Sequence, residues 1–366
     1  MRLVVKIGSS VLSNPDGGLN PASLERLAFQ LIQLHQKGHE VILVSSGAIA
    51  SGVGRLGWKE KPSELRSKQA AAAIGQLALM KAYEDVFSKA GILPAQVLLT
   101  REDLINRQRY LNIRNTLLRL LELKAIPIIN ENDCVSTEEI QFGDNDTLSA
   151  IVATKVEADK LVILSDVAGL YRVDEKGALT KDVVPVVEKI TPELEKSVSK
   201  TKSSKLTVGG MAAKLSAAKM ATAAGVEVWI ASGHEADSLE KILSGALNAG
   251  TRFPPRVKKI ESRDAWIAFG RKAKGFLTID EGAVRAIAQE GKSLLPSGIT
   301  KVKGAFAVGD MVGVEASDGV EIARGLVNFS SADVQKIRGR HSNEIPSLLG
   351  RSTSQEVIHR DNLVLL

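Results

Sequence analysis

The 366-residue sequence predicts an α/β fold, with a mainly parallel sheet sandwiched by helices, followed by a small, mostly β, barrel-like segment. Up to residue 255, short β-branched apolar runs alternate with amphipathic or alanine-rich stretches. Strands that are apolar along their whole length and separated by helices are typical of parallel sheets covered on both faces. Beyond residue 270 the apolar runs are short, closely spaced and separated by glycines, which is typical of a small barrel.

The local pattern places each element along the chain. Apolar runs predict strands at 2–7, 40–45, 94–99, 125–130, 159–165 and 226–231. Helical periodicity between them predicts helices at 21–37, 64–90, 107–123, 144–157 and 211–224. Turn-forming residues between 168 and 190 indicate a hairpin excursion. In the last part we expect strands at 264–269, 275–279, 299–303, 311–316 and 320–327, and short helices near 281–290 and 331–338.

The length and a change in composition predict two domains. Residues 251–259 contain two prolines and four basic side chains, which is typical of a linker. We therefore expect a first domain at 1–255, a linker at 256–270 and a second domain at 271–366.

The composition excludes several classes of protein. A hydrophobic content of 44% with 25% charged residues is usual for a soluble globular protein, and no apolar run approaches the length of a membrane helix. The first apolar run is too short for a signal peptide, and the single Cys134 allows no internal disulfide. The five histidines do not have the spacing of a zinc site. We expect a cytoplasmic protein. The net charge of +6 is compatible with anionic small molecules and with weak nucleic-acid contact.

Two clusters of short polar residues lie at a predicted strand end and at a predicted helix start. Residues 130–133 follow a buried strand, and residues 143–146 precede an alanine-rich helix. In open α/β sheets, small polar ligands bind at the carboxyl ends of the strands. Asparagine and aspartate also serve as caps and turn formers, but two such clusters together favour a ligand site.

Small residues and a lysine follow the first two strands. Lys6 and Gly8 end the first strand, where free N–H groups can bind phosphate oxygens, although an ordinary turn with a solvated lysine fits equally well. Ser46 follows the second strand among other small residues, which indicates a close approach by a ligand or another backbone. Residues 52–57 formally match a dinucleotide-binding fingerprint, but they begin eight residues after the strand and lack the acidic partner, so we interpret the match as accidental.

Two later segments have the same character. Ser165 and Asp166 follow the fifth strand, where they suit either contacts to a nucleotide and its metal or simple capping. Gly209 and Gly210 open a helix whose N-terminus favours anions, and Lys214 lies one turn inside it. A flexible loop with a solvated lysine is an equal alternative when this segment is taken alone.

Together these features indicate phosphoryl transfer. Catalysis of that reaction is mostly positioning and charge neutralisation, which two lysines on glycine-containing loops and two Asp/Asn clusters at strand ends can supply. A carboxylate acceptor needs no strong base, because it is already ionised at neutral pH. This explains why no histidine accompanies the motifs.

These motifs, in this order, resemble the amino acid kinase family over essentially the whole chain. The matching segments are KIGSS at 6–10, SSGAI at 45–49, INEND at 129–133, GDND at 143–146 and GGM at 209–211. The resemblance is to members that act on glutamate, and it implies phosphorylation of the side-chain carboxylate of L-glutamate by ATP, the first step of proline biosynthesis. Mg²⁺ is then held mainly by the ATP phosphates. Aspartate, N-acetylglutamate and carbamate are alternative acceptors, but Asp133 favours a free ammonium group.

The same resemblance implies a role for each site residue. Lys6 and Lys214 flank the transferred phosphoryl group, and Asp146 holds both lysines. The residues implied in glutamate binding are Ser46, Asp133 and Asn145. The residues implied in ATP binding are Lys6, Gly8, Ser165, Asp166, Val208, Gly209, Gly210, Met211, Ala212, Ala213 and Lys214. Val208 and Ser165 stand where threonine is usual in the family, so a hydroxyl contact at position 208 is lost while backbone contacts remain.

The carboxy-terminal segment resembles a PUA domain, which binds RNA in many other proteins. Residues 271–366 carry 13 basic and 11 acidic side chains, and Phe276 and Phe306 both lie in patterns that predict core positions. A regulatory or oligomer-supporting role is therefore favoured over RNA binding. We also expect a homo-oligomer, a dimer or a tetramer, without membrane association, that passes its acyl phosphate to glutamyl phosphate reductase. The rival interpretation is a sensor that binds its ligand without turnover. The presence of Lys6, Asp146 and Lys214 counts against that interpretation.

Overall fold

The chain forms two compact units, Met1–Lys259 and Ile260–Leu366. The computed structural model describes residues 1–14, 17–100, 103–104, 107–135, 145–173, 179–200, 208–256, 273–350 and 354–366. Most of the expected linker, residues 257–270, and the strand expected at 264–269 lie outside the described residues.

A seven-stranded sheet forms the centre of the first unit. Its strands are β1 (Arg2–Ile7), β2 (Glu40–Val44), β3 (Pro94–Leu99), β4 (Ile126–Glu131), β5 (Lys160–Ser165), β8 (Glu227–Ser232) and β9 (Thr251–Phe253). They lie in the order β3-β4-β2-β1-β5-β8-β9, and every neighbouring pair is parallel except β8 and β9. A separate antiparallel pair consists of β6 (Tyr171–Val173) and β7 (Leu179–Val183). The mainly parallel sheet and the hairpin excursion are both confirmed.

Helices cover the sheet. They are α1 (Ser9–Leu12), α2 (Pro21–Gln36), α3 (Ala48–Arg55), α4 (Leu65–Phe87), α5 (Arg107–Glu122), α6 (Asn145–Lys155), α7 (Pro192–Lys200), α8 (Val208–Ala223) and α9 (Ser238–Leu243). The sequence pattern missed α1, α3, α7 and α9, because helices of nine residues or fewer hold little more than two turns of periodicity. No helix among the described residues has both the length and the apolar character needed to cross a membrane.

Local sequence explains where α2 begins and which face it buries. Asn20 caps the helix by accepting a hydrogen bond from the Ser23 N–H, and Pro21 occupies the first helical position. The buried Leu24, Leu27 and Leu31 recur at helical spacing and join the core beneath the sheet.

Strand order determines where a ligand can bind. From β1 the chain proceeds to β2 on one side of the sheet and later returns to β5 on the other side. Such a reversal opens a crevice at the carboxyl ends of the strands. Helix α6 lies across β1, β2, β4 and β5 and packs against α8, so its first residues stand at that crevice.

Two glycines allow α3 and α4 to pack backbone against backbone. A Cβ atom at Gly52 would lie 1.8 Å from the Ala71 carbonyl oxygen, and one at Gly75 would lie 1.8 Å from the Ala48 carbonyl oxygen. The apparent dinucleotide fingerprint therefore has a packing explanation, since Gly52 lies inside α3 rather than in a strand-to-helix turn.

The linker-like composition of residues 251–259 does not keep residues 251–253 out of the sheet. Thr251–Phe253 forms β9, which adds to the β8 edge of the sheet in antiparallel orientation. Phe253 is buried in this position, and the Thr251 hydroxyl oxygen accepts a hydrogen bond from the Leu170 N–H at 2.8 Å. Edge pairing and burial outweigh the linker-like composition of the following residues.

The second unit is built on a five-stranded sheet. Its strands are β10 (Gly275–Ile279), β11 (Ile299–Gly304), β12 (Met311–Glu315), β13 (Glu321–Leu326) and β14 (Leu363–Leu365), in the order β11-β10-β12-β13-β14. Its helices are α10 (Glu281–Ala288), α11 (Ser331–Ile337) and α12 (Ile345–Leu349). Phe306 lies in the core as expected, but the prediction for Phe276 is wrong. Residues of β10 alternate in and out, and Phe276 falls on the outer face over Gly313.

Candidate active site

Three charged side chains from distant parts of the first unit meet in its interior. Asp146 in α6 forms ion pairs with Lys6 of β1 through Oδ1 and with Lys214 of α8 through Oδ2, the latter at 3.1 Å. The Asp146 side chain is fully buried, and both lysines are less than a tenth exposed. We call this group the lysine bridge. Two cations share one anion, so the group has a residual positive charge that suits an anionic ligand.

The residue before Asp146 belongs to a hydrogen-bond network. The Asn145 Nδ2 group donates to the Ser45 carbonyl oxygen at 3.0 Å, to Ser46 Oγ at 2.8 Å and to Asn130 Oδ1 at 3.0 Å. A backbone carbonyl can only accept, so this contact fixes which way the amide is turned. Within the described part of the chain, the buried Asn145 Oδ1 atom has no hydrogen-bond partner.

The network continues to α4. Asn130 Nδ2 donates to Gln76 Oε1 at 2.9 Å, and Asn130 Oδ1 also accepts from the Glu131 N–H at 2.9 Å. Asn130 thus links the end of β4 to α4 and orients Asn145. A cap-and-turn role was an alternative for this residue, but the side chain is buried and bonded to two other side chains.

A cavity of about 290 Å³ lies beside these groups. The residues that line it are Lys6, Ser9, Ser46, Gly47, Ala48, Ile49, Ala50, Lys61, Pro62, Lys68, Asn130, Glu131, Asp133 and Asn145. We call it the substrate cavity. It brings together Lys6, Ser46, Asp133 and Asn145, all of which the sequence had singled out. Gly47 turns the chain into α3 with a φ of 101°, a conformation that favours glycine.

The carboxyl group of Asp133, which lines this cavity, has a perturbed pKa. Burial raises the pKa of its carboxyl group to about 6. A desolvated carboxylate of this kind gains most when a cation approaches it. The group is therefore suited to binding an ammonium ion.

Apart from Lys6, the residues expected to contact ATP are not among those that line the substrate cavity. The Gly8 N–H donates to the Leu164 carbonyl oxygen at 3.0 Å, which joins the ends of β1 and β5. The buried Ser165 hydroxyl donates to Asp166 Oδ1 at 2.8 Å, while Asp166 itself is exposed. Because its hydroxyl already has this acceptor, Ser165 can offer only a lone pair unless that bond breaks.

Helix α8 presents its N-terminus beside Lys214. The helix begins at Val208, three residues before the position that periodicity indicated, so Gly209 and Gly210 lie in its first turn. Lys214 Nζ lies 3.4 Å from the Gly210 carbonyl oxygen and so points back toward that turn. Met211 is buried, and Ala212 and Ala213 are partly buried. Gly143, Asp144 and Thr207 lie outside the described residues.

Sequence reasoning missed several residues at the site. Gln76 anchors the amide network from α4, and Lys61 and Lys68 line the substrate cavity. Ser9 and Glu131 also line it; they lay in the recognised motifs but had no assigned role. The signal of Gln76 and the two lysines is weak, because a lysine or glutamine on a helix is normally a solvated side chain. Only the docking of α4 against α3 places Lys68 and Gln76 at this position.

Comparison with known proteins agrees with the geometry. A sequence model described as the amino acid kinase family matches residues 1–232. The chain belongs to the amino acid kinase family. A model described as the PUA domain matches residues 275–349, in the second unit.

This amino acid kinase is similar along its whole length to curated relatives named glutamate 5-kinase. The protein of Caldanaerobacter subterraneus subsp. tengcongensis is 50% identical over 366 residues, which cover 100% of this chain and 98% of the relative. The protein of Moorella thermoacetica is 47% identical over 365 residues, covering 100% of this chain and 96% of the relative. That of Paraburkholderia phytofirmans is 48% identical, with 100% and 98% covered.

Proposed function

We propose that this kinase transfers the γ-phosphoryl group of ATP to the side-chain carboxylate of L-glutamate. The product is L-glutamyl 5-phosphate, and the reaction is the first step of proline biosynthesis. The observation that carries the proposal is the buried lysine bridge, with its residual positive charge, at the wall of a cavity that also contains the desolvated carboxyl group of Asp133. The name shared by the full-length relatives supports glutamate as the acceptor.

In the reaction, a side-chain carboxylate oxygen of glutamate attacks the γ-phosphorus. A new O–P bond forms, the bond from that phosphorus to the bridging oxygen breaks, and ADP leaves with the bond electrons. No proton has to be removed from the acceptor, because a carboxylate is ionised at neutral pH. Lys6 and Lys214 would stabilise the charge on the transferred group, and Asp146 would hold both ammonium groups in place.

Glutamate would be held by three polar side chains that line the cavity. The Asn145 Oδ1 atom is a buried acceptor that needs a donor, and a substrate ammonium supplies one. Asp133 would pair with the same ammonium, and Ser46 would contact a carboxylate. An acylated amine carries no positive charge and carbamate has no ammonium group, so the pair disfavours N-acetylglutamate and carbamate.

The nucleotide would bind across the ends of β1 and β5 and the start of α8. The first N–H groups of an α-helix have no partner within the helix, so those from Val208 to Met211 would bind phosphate oxygens. Lys6, Gly8 and Lys214 would face the phosphates, and Ala212 and Ala213 would follow on the same turns. Ser165 and Asp166 would contact the nucleotide from the end of β5.

Mg²⁺ is the cofactor that we propose beside ATP. The described residues contain no group of three or more His, Cys, Asp or Glu side chains placed to hold a metal ion. Mg²⁺ commonly keeps several waters and is bound by one or two carboxylates together with substrate phosphates. The exposed Asp166 at the end of β5 fits that donor set. When bound, the ion would offset phosphate charge.

The proposal also covers the organisation of the protein. We propose a kinase catalytic domain at 1–255, a linker at 256–270 and a PUA-like domain at 271–366.

We further propose a homo-oligomer, because Ile74 and Leu77 on α4 are exposed apolar side chains, 39% and 71% accessible. A Leu77→Lys variant that keeps the molar mass of the wild type in light scattering would exclude this face as the interface. The exposed thiol of Cys134 suits the reducing cytoplasm, where a reductase would consume the acyl phosphate.

A trapping assay tests the reaction. Purified protein receives ATP, Mg²⁺, hydroxylamine and one acceptor: glutamate, aspartate, N-acetylglutamate or carbamate. We expect ADP, and hydroxamate only where the product is an acyl phosphate, with glutamate far ahead of the others. Folded protein that forms ADP with none of these acceptors would refute the kinase assignment. Labelled RNA that shifts at near-physiological salt would instead favour an RNA-binding function.

A further inference from the structure

We infer that Lys68 determines specificity for an α-amino acid by binding the α-carboxylate of the substrate. The inference rests on the proposed function and adds a residue to it. Lys68 lies in the first turn of α4 and lines the substrate cavity together with Ser46, Asp133 and Asn145. No sequence motif singled it out.

The fold holds Lys68 in this position. Lys68 lies on the same face of α4 as Ala71, Ala72 and Gly75, which are buried. This face touches α3, where a Cβ at Gly52 would lie 1.8 Å from the Ala71 carbonyl oxygen. The half-buried stem of Lys68 therefore starts from a helix turn whose position is fixed by backbone contact.

The charges of the cavity leave one substrate group without a partner. Glutamate brings two carboxylates and one ammonium. The reacting carboxylate must lie beside the lysine bridge, and Asp133 takes the ammonium. The α-carboxylate is attached to the same carbon as the ammonium, so it must lie near Asp133 and away from Lys6.

Two cations of the cavity, Lys61 and Lys68, are available for that carboxylate. Neither makes a salt bridge to any residue in the described part of the chain. Lys61 is exposed on the segment between α3 and α4, whereas Lys68 is half-buried on a helix. An ion pair is stronger where water is partly excluded, and a rigid element places a side chain more accurately than a loop. Lys68 is therefore the better partner.

A substrate comparison isolates this contact. 4-Aminobutyrate is glutamate without its α-carboxylate, and it keeps both the ammonium and the reacting carboxylate. If Lys68 binds the α-carboxylate, replacing Lys68 must harm glutamate and leave 4-aminobutyrate unaffected. A merely structural role would harm both substrates alike.

The experiment measures kcat and KM by hydroxamate formation for the wild type, Lys68→Met, Lys68→Arg and Lys61→Met. For Lys68→Met we expect kcat/KM on glutamate to fall about 10- to 100-fold, mainly through KM, because one charged hydrogen bond is lost. On 4-aminobutyrate the change should stay within about twofold. Lys68→Arg should recover part of the loss, and the loss on glutamate should be smaller in Lys61→Met than in Lys68→Met. If turnover of 4-aminobutyrate is too slow, its inhibition constant against glutamate gives the same comparison.

Three outcomes would overturn the inference: an equal loss on both substrates, no loss on glutamate, or a selective loss in Lys61→Met alone. A wild type that phosphorylates no acceptor would refute the proposed function itself. An active wild type whose preference for glutamate over 4-aminobutyrate survives in Lys68→Met would refute only the role of Lys68.

Discussion

The lysine bridge and the substrate cavity adjoin at two consecutive residues, Asp146 and Asn145, yet they are prepared for their ligands in different ways. Asp146 is fully buried and already ion-paired with two lysines. Asn145 has its amide N–H groups engaged by three acceptors, while its oxygen has no partner among the described residues. The charges of the bridge are therefore paired within the protein, whereas the Asn145 acceptor would be satisfied by a donor of the proposed substrate.

The difference follows from what each region must do. Charge that develops during phosphoryl transfer is stabilised best by groups that need not reorganise, so the lysines are held in advance. Selection of a substrate works best when a wrong ligand leaves polar groups unsatisfied. The buried acceptor of Asn145 and the desolvated carboxylate of Asp133 meet that condition.

The largest effect should come from breaking the bridge with Asp146→Asn. Two buried lysines would lose their counter-ion, so we expect kcat to fall by about 10²- to 10³-fold and the free energy of unfolding by about 3 kcal/mol. Kinetics and urea denaturation measure both. The control is Asp85→Asn, which removes an exposed i,i+4 pair with Lys81 and should change little. An Asp146→Asn enzyme with normal kcat would show that the bridge serves stability alone.

Next in size is Lys214→Met, which keeps the apolar stem and removes the charge. We expect kcat to fall by about 10²-fold with KM for glutamate nearly unchanged, because this lysine would act on the phosphoryl group. Lys219→Met on the same helix is the matched control, since Lys219 pairs with Glu195 away from the site. A KM raised far more than kcat is lowered would instead place Lys214 in glutamate binding.

A smaller effect on kcat/KM should come from protonation of Asp133 in the cavity. The pKa of Asp133 is raised to about 6 by burial, and a substrate ammonium selects the ionised form. The kcat/KM for glutamate should therefore be nearly constant above about pH 7, drop to about half near pH 6 and approach a tenfold fall per pH unit below about pH 5. Glutarate, which lacks the ammonium, should react better as Asp133 becomes protonated.

The variant Asp133→Asn provides the check on this pH dependence. It should lower kcat/KM for glutamate near pH 7.5 and remove the change near pH 6 for both substrates. A wild-type profile that is flat between pH 5 and 7 would contradict the assignment of Asp133 to the ammonium.

The smallest effect should come from Gln76, which is linked to the cavity through its hydrogen bond with Asn130. Gln76→Leu leaves the Asn130 amide without its acceptor, so we expect KM for glutamate to rise about fivefold while kcat is unchanged. Gln76→Glu keeps an acceptor oxygen and should restore most of the affinity. Equal effects of the two variants on KM would mean that packing, rather than the hydrogen bond, is what matters at this position.

Much of the fold could be predicted from the sequence, because burial imposes a visible period on each long element. The strands that end at Ile7, Val44 and Ser165 were expected within one residue of where they lie. β9 could not be predicted, since three residues carry no period and their pairing with β8 is a tertiary contact.

The candidate site likewise contains residues that the local sequence could predict and residues that only the packing of helices places there. Polar residues at a strand end and at a helix start, such as Asp133 and Asn145, could be singled out because small polar ligands bind at the carboxyl ends of parallel strands. The pairing of Asp146 with Lys6 and Lys214 came only from the resemblance, since no local pattern connects residues so far apart. Lys68 and Gln76 gave no signal, because the face of a helix that meets a cavity depends on how the helix docks.

By itself, the sequence determined the long helices and strands, the two-part organisation of the chain and the strand ends that carry polar groups. Each of these follows from local burial and backbone preference. Only the tertiary structure decided which side chains meet. Strand order carries α6 across the sheet to Lys6, and the contact of Gly52 with Ala71 brings α4 to the cavity. These contacts depend on packing between segments that are distant in the sequence, and no local sequence pattern predicts them.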